Sequence, residues 1–409
     1  DFLSSLYSLS KSKGKTNMAS KKTLSLYDKY VMQTYFTTPL TLVRGKGAHV
    51  RDAEGKKYLD FFPGWAVSGI GHCHPRVVRA IKKQAGVLIH VSNNYYHEQQ
   101  GLLAKEIIRN SFPGKVFFCN SGAEANEAAI KLARKFGNPS RNEIITFAGS
   151  FHGRTLAAVT ATGQKKFKKG FEPLPAGFLT VPFNDLDALE KAITPKTIAV
   201  MLELIQGEGG VRVVDSKYLS EVRRLCTLKD ILLIFDEVQT GMGRTGHMFC
   251  YQNFGILPDM MTLAKSLGGG FPIGALVASE KIADTLKPGS HGTTFGGSPL
   301  ACAASLATFE AIKKERLLNN AKVMGNYLLQ KLHELMKKHS AIREVRGISL
   351  MAGVLLKIDA KKIYEECLKR GLLINCTQEN VLRIMPPIVV KRKEIDQAVQ
   401  ILDEALFLI

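Results

Sequence analysis

The middle of the chain alternates short apolar runs with longer helix-like stretches, and this alternation restricts the fold more than any other feature. The runs each span four or five residues, and they are residues 116–119, 144–147, 198–202, 231–235, 260–263 and 275–278. Continuous apolar runs of this length are typical of strands that are covered on both faces. Strands joined by helices form a mostly parallel sheet. The pattern therefore predicts an α/β domain.

The last quarter of the chain has a different pattern. It predicts two long helices followed by short strands, over residues 300–313, 320–338, 348–356 and 381–384. This combination indicates a second, α+β lobe. Residues 40–59 contain closely spaced turn residues and read as small antiparallel strands. We expect them to join the C-terminal lobe.

Composition and charge limit the class of partner. The 409 residues carry a formal net charge of +20, so nucleic acid must be considered. The lysines, however, gather at the amino end and at residues 165–169, without the series of aromatic side chains that a nucleic-acid stacking surface needs. No stretch of about 20 apolar residues occurs. We expect neither nucleic acid nor a membrane as partner, and a positive field that attracts small anions.

The cysteines point to the compartment. Seven are scattered along the chain, without the paired short spacings of a zinc site or a disulfide framework. They are typical of reduced thiols, which predicts a cytoplasmic protein without a metal. Residues 1–20 are polar and lack the continuous apolar core of a secretory signal, so we expect a disordered or extension segment there.

Polar residues follow the first apolar run, where ligands of open α/β sheets bind. Ser121 and Glu124 fit a helix capping box, which is a purely structural interpretation. The same segment offers free backbone N–H groups, a hydroxyl and Gly122, which together suit a phosphate group. The two interpretations are compatible.

Two ionisable residues stand at the ends of later runs. Asp236 follows residues 231–235 directly, where an unpaired carboxylate is costly to bury. A cationic ring nitrogen or a structural salt bridge would each balance it. Lys265 lies between residues 260–263 and a glycine-rich turn, and desolvation there would lower its pKa so that it can attack a carbonyl as the neutral amine.

Together these two residues form the pair that pyridoxal 5'-phosphate requires. The lysine binds the aldehyde as a Schiff base, and the aspartate keeps the pyridine nitrogen protonated. The protonated ring stabilises the carbanion left when a Cα proton departs, and the freed lysine can carry that proton. We therefore predict catalytic roles for Lys265 and Asp236.

Six strings occur in order along the chain, and they are NSGAEANE, FHGRT, IQGEGG, DEVQTGMGRTG, AKSLGGG and HGTTFGG. Together they resemble the class III subgroup of fold type I aminotransferases, which includes acetylornithine, ornithine and 4-aminobutyrate aminotransferases. The resemblance runs from Thr38 to Pro387. It implies an α/β fold type I structure, with a large domain built on a mostly parallel seven-stranded sheet flanked by helices, and a smaller α+β domain.

The resemblance also implies a division of the chain and an assembly. The implied parts are the segment 1–20, an N-terminal segment 21–69 that packs with the small domain, a large cofactor-binding domain 70–299 and a small domain 300–409. Active sites of the family lie at a dimer interface, so a homodimer with shared active sites is expected.

Cofactor contacts carry over residue by residue. Ser121, Gly122 and Ala123 would hold the phosphate, with Thr294 reaching it from the neighbouring subunit. Phe151 would stack on the pyridine ring. Asp236 would pair with the ring nitrogen, Val238 would pack against the ring, and Gln239 would donate to the ring oxygen. Ala123 departs from the family, which often has threonine there.

Substrate contacts carry over in the same way. Arg154, assisted by Thr293, would bind the carboxylate remote from the reacting amine. Arg383 would bind the α-carboxylate of glutamate, and Glu208 would neutralise Arg383 in its absence. Leu204 stands where the family usually has proline.

The reaction implied by the resemblance is a step of arginine biosynthesis. The terminal amino group of N2-acetyl-L-ornithine would pass to 2-oxoglutarate, giving N-acetyl-L-glutamate 5-semialdehyde and L-glutamate. Residues 90–96 and 170–175 are most similar to the subgroup with that donor. Ornithine, succinylornithine and 4-aminobutyrate remain alternative donors. A basic nucleic-acid-binding or scaffold protein on an aminotransferase fold is the alternative from another class.

Overall fold

A computed structural model describes residues 18–408. Most of the segment expected to be disordered or an extension, residues 1–17, lies outside the described residues, whereas residues 18–20 begin the first helix. The helices are α1 Met18–Tyr30, α2 Pro75–Ala85, α3 Glu98–Asn110, α4 Gly122–Gly137, α5 Leu156–Ala161, α6 Leu186–Ala192, α7 Ser216–Leu228, α8 Glu280–Ala283, α9 Pro299–Lys314, α10 Leu317–Lys338, α11 Lys361–Lys369 and α12 Arg392–Leu406.

The strands form four sheets. They are β1 Leu42–Lys46, β2 His49–Asp52, β3 Lys57–Asp60, β4 Gly114–Cys119, β5 Glu143–Phe147, β6 Phe178–Val181, β7 Thr197–Leu202, β8 Ile205–Gln206, β9 Arg212–Val213, β10 Leu232–Asp236, β11 Met260–Leu263, β12 Gly274–Ser279, β13 Ile342–Ile348, β14 Met351–Leu356, β15 Leu372–Leu373, β16 Asn375–Thr377 and β17 Val381–Ile384.

The central sheet has seven strands in the order β4-β12-β11-β10-β7-β5-β6. Only β12 among them runs antiparallel to its neighbours, so the predicted mostly parallel α/β sheet is confirmed. Each of the six predicted apolar runs is a strand. The edge strand β6 was missed, because three of its four residues are not fully buried and its apolar signal is short.

Alternate side chains of the central strands pack into two separate hydrophobic cores, one on each face of the sheet. In β10, Leu232 and Ile234 pack into one hydrophobic cluster, whereas Leu233 and Phe235 pack into the other. Successive side chains of a strand point to opposite faces, so one apolar run fills both layers. Each such side chain contributes roughly 1.5–3 kcal/mol when fully buried. This double burial holds the ends of the parallel strands rigidly at one edge.

The second lobe contains α10, α11, α12 and a four-stranded sheet ordered β13-β14-β17-β16. A further sheet has the order β1-β2-β3-β15, in which Leu372 of β15 pairs with Leu59 of β3. Through this pairing, the early strands share one sheet with a strand from the C-terminal part of the chain. Across residues 18–408, no helix has the length and apolar character needed to cross a membrane.

Candidate active site

A cavity of about 440 Å³ lies at the carboxyl ends of the central strands. Ten of the residues singled out from the sequence line it, and they are Ser121, Gly122, Ala123, Phe151, Arg154, Glu208, Asp236, Val238, Gln239 and Lys265. Asp236 is the last residue of β10, and the others come from segments that follow β4, β5, β7, β10 and β11. The parallel sheet explains this convergence, because the carboxyl ends of parallel strands share one edge.

One wall of the cavity is the amino end of α4. Ser121 is the N-cap, and its Oγ accepts a hydrogen bond from the backbone N–H of Glu124 at 3.2 Å. The Glu124 carboxylate accepts from the N–H of Asn120 rather than that of Ser121, so the predicted capping box is displaced by one residue. The first-turn N–H groups of Gly122 and Ala123 have no acceptor within the helix. They suit an anion.

Glycine at position 122 permits close packing at this wall. A Cβ atom there would lie 2.7 Å from Cγ1 of Val238. Val238 follows β10, so any larger residue at 122 would push the helix end away from the segment after β10. The absence of a side chain at Gly122 thus allows the amino end of α4 to pack against the segment that follows Asp236.

Asp236 is the last residue of β10, rather than the residue after it, and only 4% of it is exposed. Its Oδ2 accepts from Nδ1 of His152 and from Nδ2 of Asn126, each at 2.8 Å. Its Oδ1 accepts from the N–H of Val238 at 3.0 Å. This second oxygen keeps acceptor capacity, since a carboxylate oxygen takes two hydrogen bonds. Asp236 can therefore receive a protonated ring nitrogen from the cavity.

His152 and Asn126 were not assigned a role from the sequence, although both lie in recognised strings. Both side chains are buried. Their hydrogen bonds fix the Asp236 carboxylate, which makes them positioning residues. Only indirect signals in the sequence pointed to them. Asn126 is a polar residue on the apolar face of a predicted helix, and His152 directly follows Phe151, which was expected to stack on the pyridine ring.

Lys265 begins a short 3-10 turn, one residue beyond the end of β11, and has a positive φ of 45°. A non-glycine residue in this conformation is strained, and such strain concentrates at functional sites. Burial lowers the pKa of its amine, although the negative charges of Asp236, Glu208 and Glu203 act in the opposite direction. Lys265 lines the cavity. A lysine with a lowered pKa is the type of amine that attacks aldehydes.

Glu203 is a further cavity residue that the sequence did not identify. It is 6% exposed, and its Oε2 accepts from the N–H of Phe151 at 2.9 Å. Burial, followed by the nearby charge of Asp236, raises the pKa of its carboxyl well above the usual range. It follows β7 directly. It stands immediately before Leu204, which is fully buried.

At the open end of the cavity, Arg154 is exposed and stacks on aromatic rings. Its guanidinium lies 4.0 Å from the ring centroid of Phe167 and 5.8 Å from that of Phe151. Phe167 belongs to the lysine-rich loop at 165–169, which therefore holds this arginine. Within the described part of the chain, Arg154 forms no ion pair within 4.0 Å. The guanidinium is thus oriented and ready for an incoming carboxylate.

At the closed end, Arg383 lies in β17 and its side chain is fully buried. Its Nη2 donates to Oε1 of Glu208 at 2.8 Å. Its guanidinium also lies over the rings of Phe62 and Trp65, at 4.6 and 5.5 Å. Glu208 lines the cavity whereas Arg383 does not. Glu208 therefore stands between Arg383 and the cavity, and the pair expected from the sequence is in contact.

Two of the expected residues lie elsewhere. Thr293 and Thr294 line a separate cleft of about 740 Å³ rather than this cavity. Thr293 approaches the cavity only through Asn120, whose Nδ2 donates to its hydroxyl at 3.2 Å. The position of Thr294 away from its own subunit's cavity is compatible with a role in a neighbouring subunit.

Comparison with known proteins identifies the family. The model of the aminotransferase class-III family matches residues 30–406. The chain is 52% identical to an acetylornithine aminotransferase of Methanocaldococcus jannaschii over 393 residues, which cover 95% of this chain and 98% of that protein. It is 53% identical to that of Caldanaerobacter subterraneus over 383 residues, or 92% of this chain and 97% of that protein.

Solved structures give the same result for the fold. The ornithine aminotransferase of Toxoplasma gondii superposes with a TM-score of 0.92 at 33% identity, covering 97% of this chain and 96% of that one. The acetylornithine aminotransferase of Elizabethkingia anophelis superposes with a TM-score of 0.85 at 32% identity, covering 95% of this chain and 99% of that one.

Proposed function

Because this chain belongs to the class-III aminotransferase family, we propose that it moves the terminal amino group of N2-acetyl-L-ornithine to 2-oxoglutarate. The products are N-acetyl-L-glutamate 5-semialdehyde and L-glutamate. The identity of about half of all residues to acetylornithine aminotransferases, over nearly the whole length, supports this donor. The structural observation that carries the proposal is the ion pair between Arg383 and Glu208, which occupies Arg383 until a carboxylate replaces Glu208.

The family depends in general on pyridoxal phosphate, and the cavity's donor set fits that cofactor. Lys265 would bind its aldehyde carbon through Nζ, and Asp236 would accept from its ring nitrogen. Ser121, Gly122 and Ala123 would bind its phosphate at the amino end of α4. The absence of a hydroxyl at Ala123 is tolerated if the backbone N–H is the donor. Phe151 and Val238 would enclose the ring, and Gln239 would donate to its hydroxyl oxygen.

When bound, this cofactor supplies an electron sink for the electrons left behind as a proton leaves the carbon that bears the amine. Asp236 would keep the ring nitrogen protonated, and His152 and Asn126 hold Asp236 in place. Lys265 moves the proton at the reacting carbon, since its lowered pKa allows the neutral amine to act as a base.

Two substrates with different carboxylate positions use one cavity. A donor that reacts at its terminal amine brings no carboxylate near the reacting carbon, and Glu208 then remains paired with Arg383. Its remote carboxylate binds Arg154, with Thr293 assisting. Glutamate and 2-oxoglutarate carry a carboxylate next to the reacting carbon, which displaces Glu208 and binds Arg383. Bidentate arginine contacts make both positions selective.

The visible spectrum of the purified protein tests the donor directly. We expect an absorption band of the cofactor bound to Lys265, which bleaches on addition of N-acetylornithine at low concentration and returns with 2-oxoglutarate. Free ornithine, succinylornithine and 4-aminobutyrate serve as comparison donors. Rapid bleaching by ornithine with little effect of the acetylated donor would reject the assignment. A colourless protein that binds RNA in a salt-dependent manner would favour the non-enzymatic alternative.

Replacing Glu208 tests the masking of Arg383. Glu208→Ala leaves Arg383 permanently available, so the half-reaction with glutamate should become faster relative to that with acetylornithine. The shift should be about tenfold, because it removes one charged hydrogen-bond partner. Equal losses for both donors would contradict the switch.

We further infer a cytoplasmic homodimer with shared active sites. Two large apolar side chains, Ile89 and Phe295, are exposed next to residues that line the cleft containing Thr293 and Thr294. Contiguous exposed apolar surface marks a protein interface. In such a dimer, Thr294 of each chain would contact the phosphate bound by the other. Sedimentation of the purified protein tests this assembly.

A further inference from the structure

One β-hairpin holds both members of the Glu208–Arg383 pair. Strands β16 and β17 pair antiparallel, with Asn375 opposite Arg383 and Thr377 opposite Val381. The turn between them contains Gln378 and Glu379, both with positive φ. From this hairpin, side chains reach the guanidinium of Arg383 at one end and the backbone of Glu208 at the other.

At the Arg383 end, Asn375 is the acceptor. Its Oδ1 accepts from Nε of Arg383 at 3.1 Å and from Nη2 at 2.8 Å. The Nε edge of the guanidinium is therefore occupied by a residue of the same hairpin. A carboxylate that binds Arg383 with two hydrogen bonds must then use the Nη1/Nη2 edge. On that edge lie Glu208 at 2.8 Å and Oε1 of Gln239 at 3.5 Å, a long and weak contact.

At the other end, the hairpin binds the main chain of Glu208 and not its carboxylate. The carbonyl oxygen of Glu208 accepts from Oγ1 of Thr377 and from Nε2 of Gln378, each at 2.8 Å. Thr377 is buried, with 9% exposure, whereas Gln378 is exposed. A buried hydrogen bond to a backbone carbonyl restrains the chain without restraining the side-chain torsions. The Glu208 carboxylate can therefore rotate while its Cα stays fixed.

Two residues further along, the same loop has another anchor. The carbonyl oxygen of Gly210 accepts from Nε of Arg346 at 2.8 Å. Gly210 has a φ of 94°, and a Cβ atom there would lie 2.9 Å from Nη2 of Arg346. The loop thus contacts the C-terminal part of the chain both at Glu208 and at Gly210.

We propose that Thr377, together with Gln378, is a specificity-positioning residue that sets the strength of the Glu208–Arg383 pair by fixing the Glu208 backbone. The proposal rests on the proposed function, because it assigns a cause to the preference for donors without a carboxylate beside the reacting carbon. Asn375 orients Arg383 in both states. Thr377 keeps Glu208 within reach of Arg383 when no carboxylate competes.

Thr377→Val tests this assignment, since it keeps the shape and the strand preference of the side chain and removes only the hydroxyl. The probe is glutarate, an unreactive dicarboxylate, and its binding to the holoenzyme is measured by calorimetry. A weakened pair leaves Arg383 more accessible, so glutarate should bind about three- to tenfold more tightly, which is the effect of one lost hydrogen bond. The ratio of the glutamate to the acetylornithine half-reaction should rise by a similar factor.

Controls separate positioning from general damage. Thr377→Ser restores the hydroxyl and should restore wild-type binding, and Thr227→Val removes a hydroxyl in α7 outside the cavity and should change nothing. In a Glu208→Ala background, Thr377→Val should have no further effect on glutarate binding. Gln378→Ala, at an exposed position, is the second variant if Thr377→Val fails to fold.

Two outcomes overturn the proposal. One is unchanged glutarate binding in both Thr377→Val and Gln378→Ala. The other is an equal change in the presence and absence of Glu208. Neither depends on the identity of the amino donor. If the wild-type protein binds glutarate but is not converted by acetylornithine, the proposed function fails while the positioning role is still tested.

Discussion

The two ends of the cavity hold arginines in opposite environments. Arg154 is exposed, stacks on Phe167 and has no carboxylate partner among the described residues. Arg383 is fully buried, and its donors are taken by Glu208, Asn375 and Gln239. The first can bind a carboxylate at once, whereas the second must first lose a partner. The same residue type therefore serves as a constant anchor at one end and a conditional one at the other.

This difference follows from where each arginine lies in the fold. Arg154 comes from the segment between β5 and α5 at the surface. Arg383 comes from a buried strand of the second lobe, where an unpaired cation would be strongly destabilising. Its partners are therefore required by burial, and Glu208 is the partner that a substrate can replace. Because buried Arg383 needs a negative partner, it is paired either with Glu208 or with a substrate carboxylate, and this choice distinguishes the two kinds of substrate.

Removing the amine of Lys265 should stop the transamination reaction but leave carboxylate binding by Arg154 and Arg383. Turnover of Lys265→Ala and of Lys265→Arg should fall by at least about 10³-fold, because neither residue can move the proton at the reacting carbon. Glutarate should still bind Lys265→Ala, as both arginines remain. Rates of both half-reactions and calorimetry on the same sample check this. Full turnover with arginine at position 265 would refute the role of the amine.

Arg383→Lys should impair only the binding of a carboxylate next to the reacting carbon. Lysine keeps the charge but loses the planar two-point contact, so kcat/KM for 2-oxoglutarate should fall about 100-fold. The acetylornithine half-reaction should lose far less, since that donor leaves Glu208 paired. Single-turnover rates with each substrate measure the contrast. If both half-reactions fall equally, Arg383 has no selective role.

Arg154→Lys should weaken the open end for every substrate. Because each of them places a remote carboxylate there, KM should rise about tenfold for acetylornithine and for glutamate alike. Arg134 offers a matched control, since it stacks on Phe178 at 4.8 Å but lies outside the cavity. Arg134→Lys should leave both KM values unchanged. A loss confined to one substrate would mean that Arg154 is not a shared anchor.

The sequence predicted the parts of this site that lie at strand ends, because apolar runs locate the strands and the sheet brings their ends together. Lys265 and Asp236 were found in this way. The Glu208–Arg383 pair came only from the family resemblance, since the two positions are far apart in the chain. Thr293 and Thr294 were also carried over, and the structure places them in another cleft.

Other features lay beyond the reach of sequence patterns for physical reasons. Asn126 lies on the buried face of α4, where nothing in the spacing shows that it reaches Asp236 across the cavity wall. Thr377 and Gln378 contact Glu208 through its backbone, which has no sequence signature. Edge strand β6 was missed because its half-exposed residues lack a continuous apolar run.

The buried carboxyl group of Glu203 should also differ from the exposed Arg154 in its response to pH. Burial and the charge of Asp236 raise the folded-state pKa of Glu203, whereas the unfolded chain has the ordinary value. Below that ordinary value, both states hold the proton. As pH rises above it, the unfolded state releases its proton first, so the free energy of unfolding falls until the folded state also ionises.

Glu203→Gln should reduce this slope, because an amide does not titrate and can still accept from the N–H of Phe151. The midpoint of urea unfolding, followed from about pH 5 to pH 8, measures the slope. Arg154→Lys should keep the wild-type slope, since it alters only the exposed end. If Glu203→Gln retains the slope and Arg154→Lys loses it, the titrating group is not the buried carboxyl of Glu203, and its burial does not cause the pH dependence.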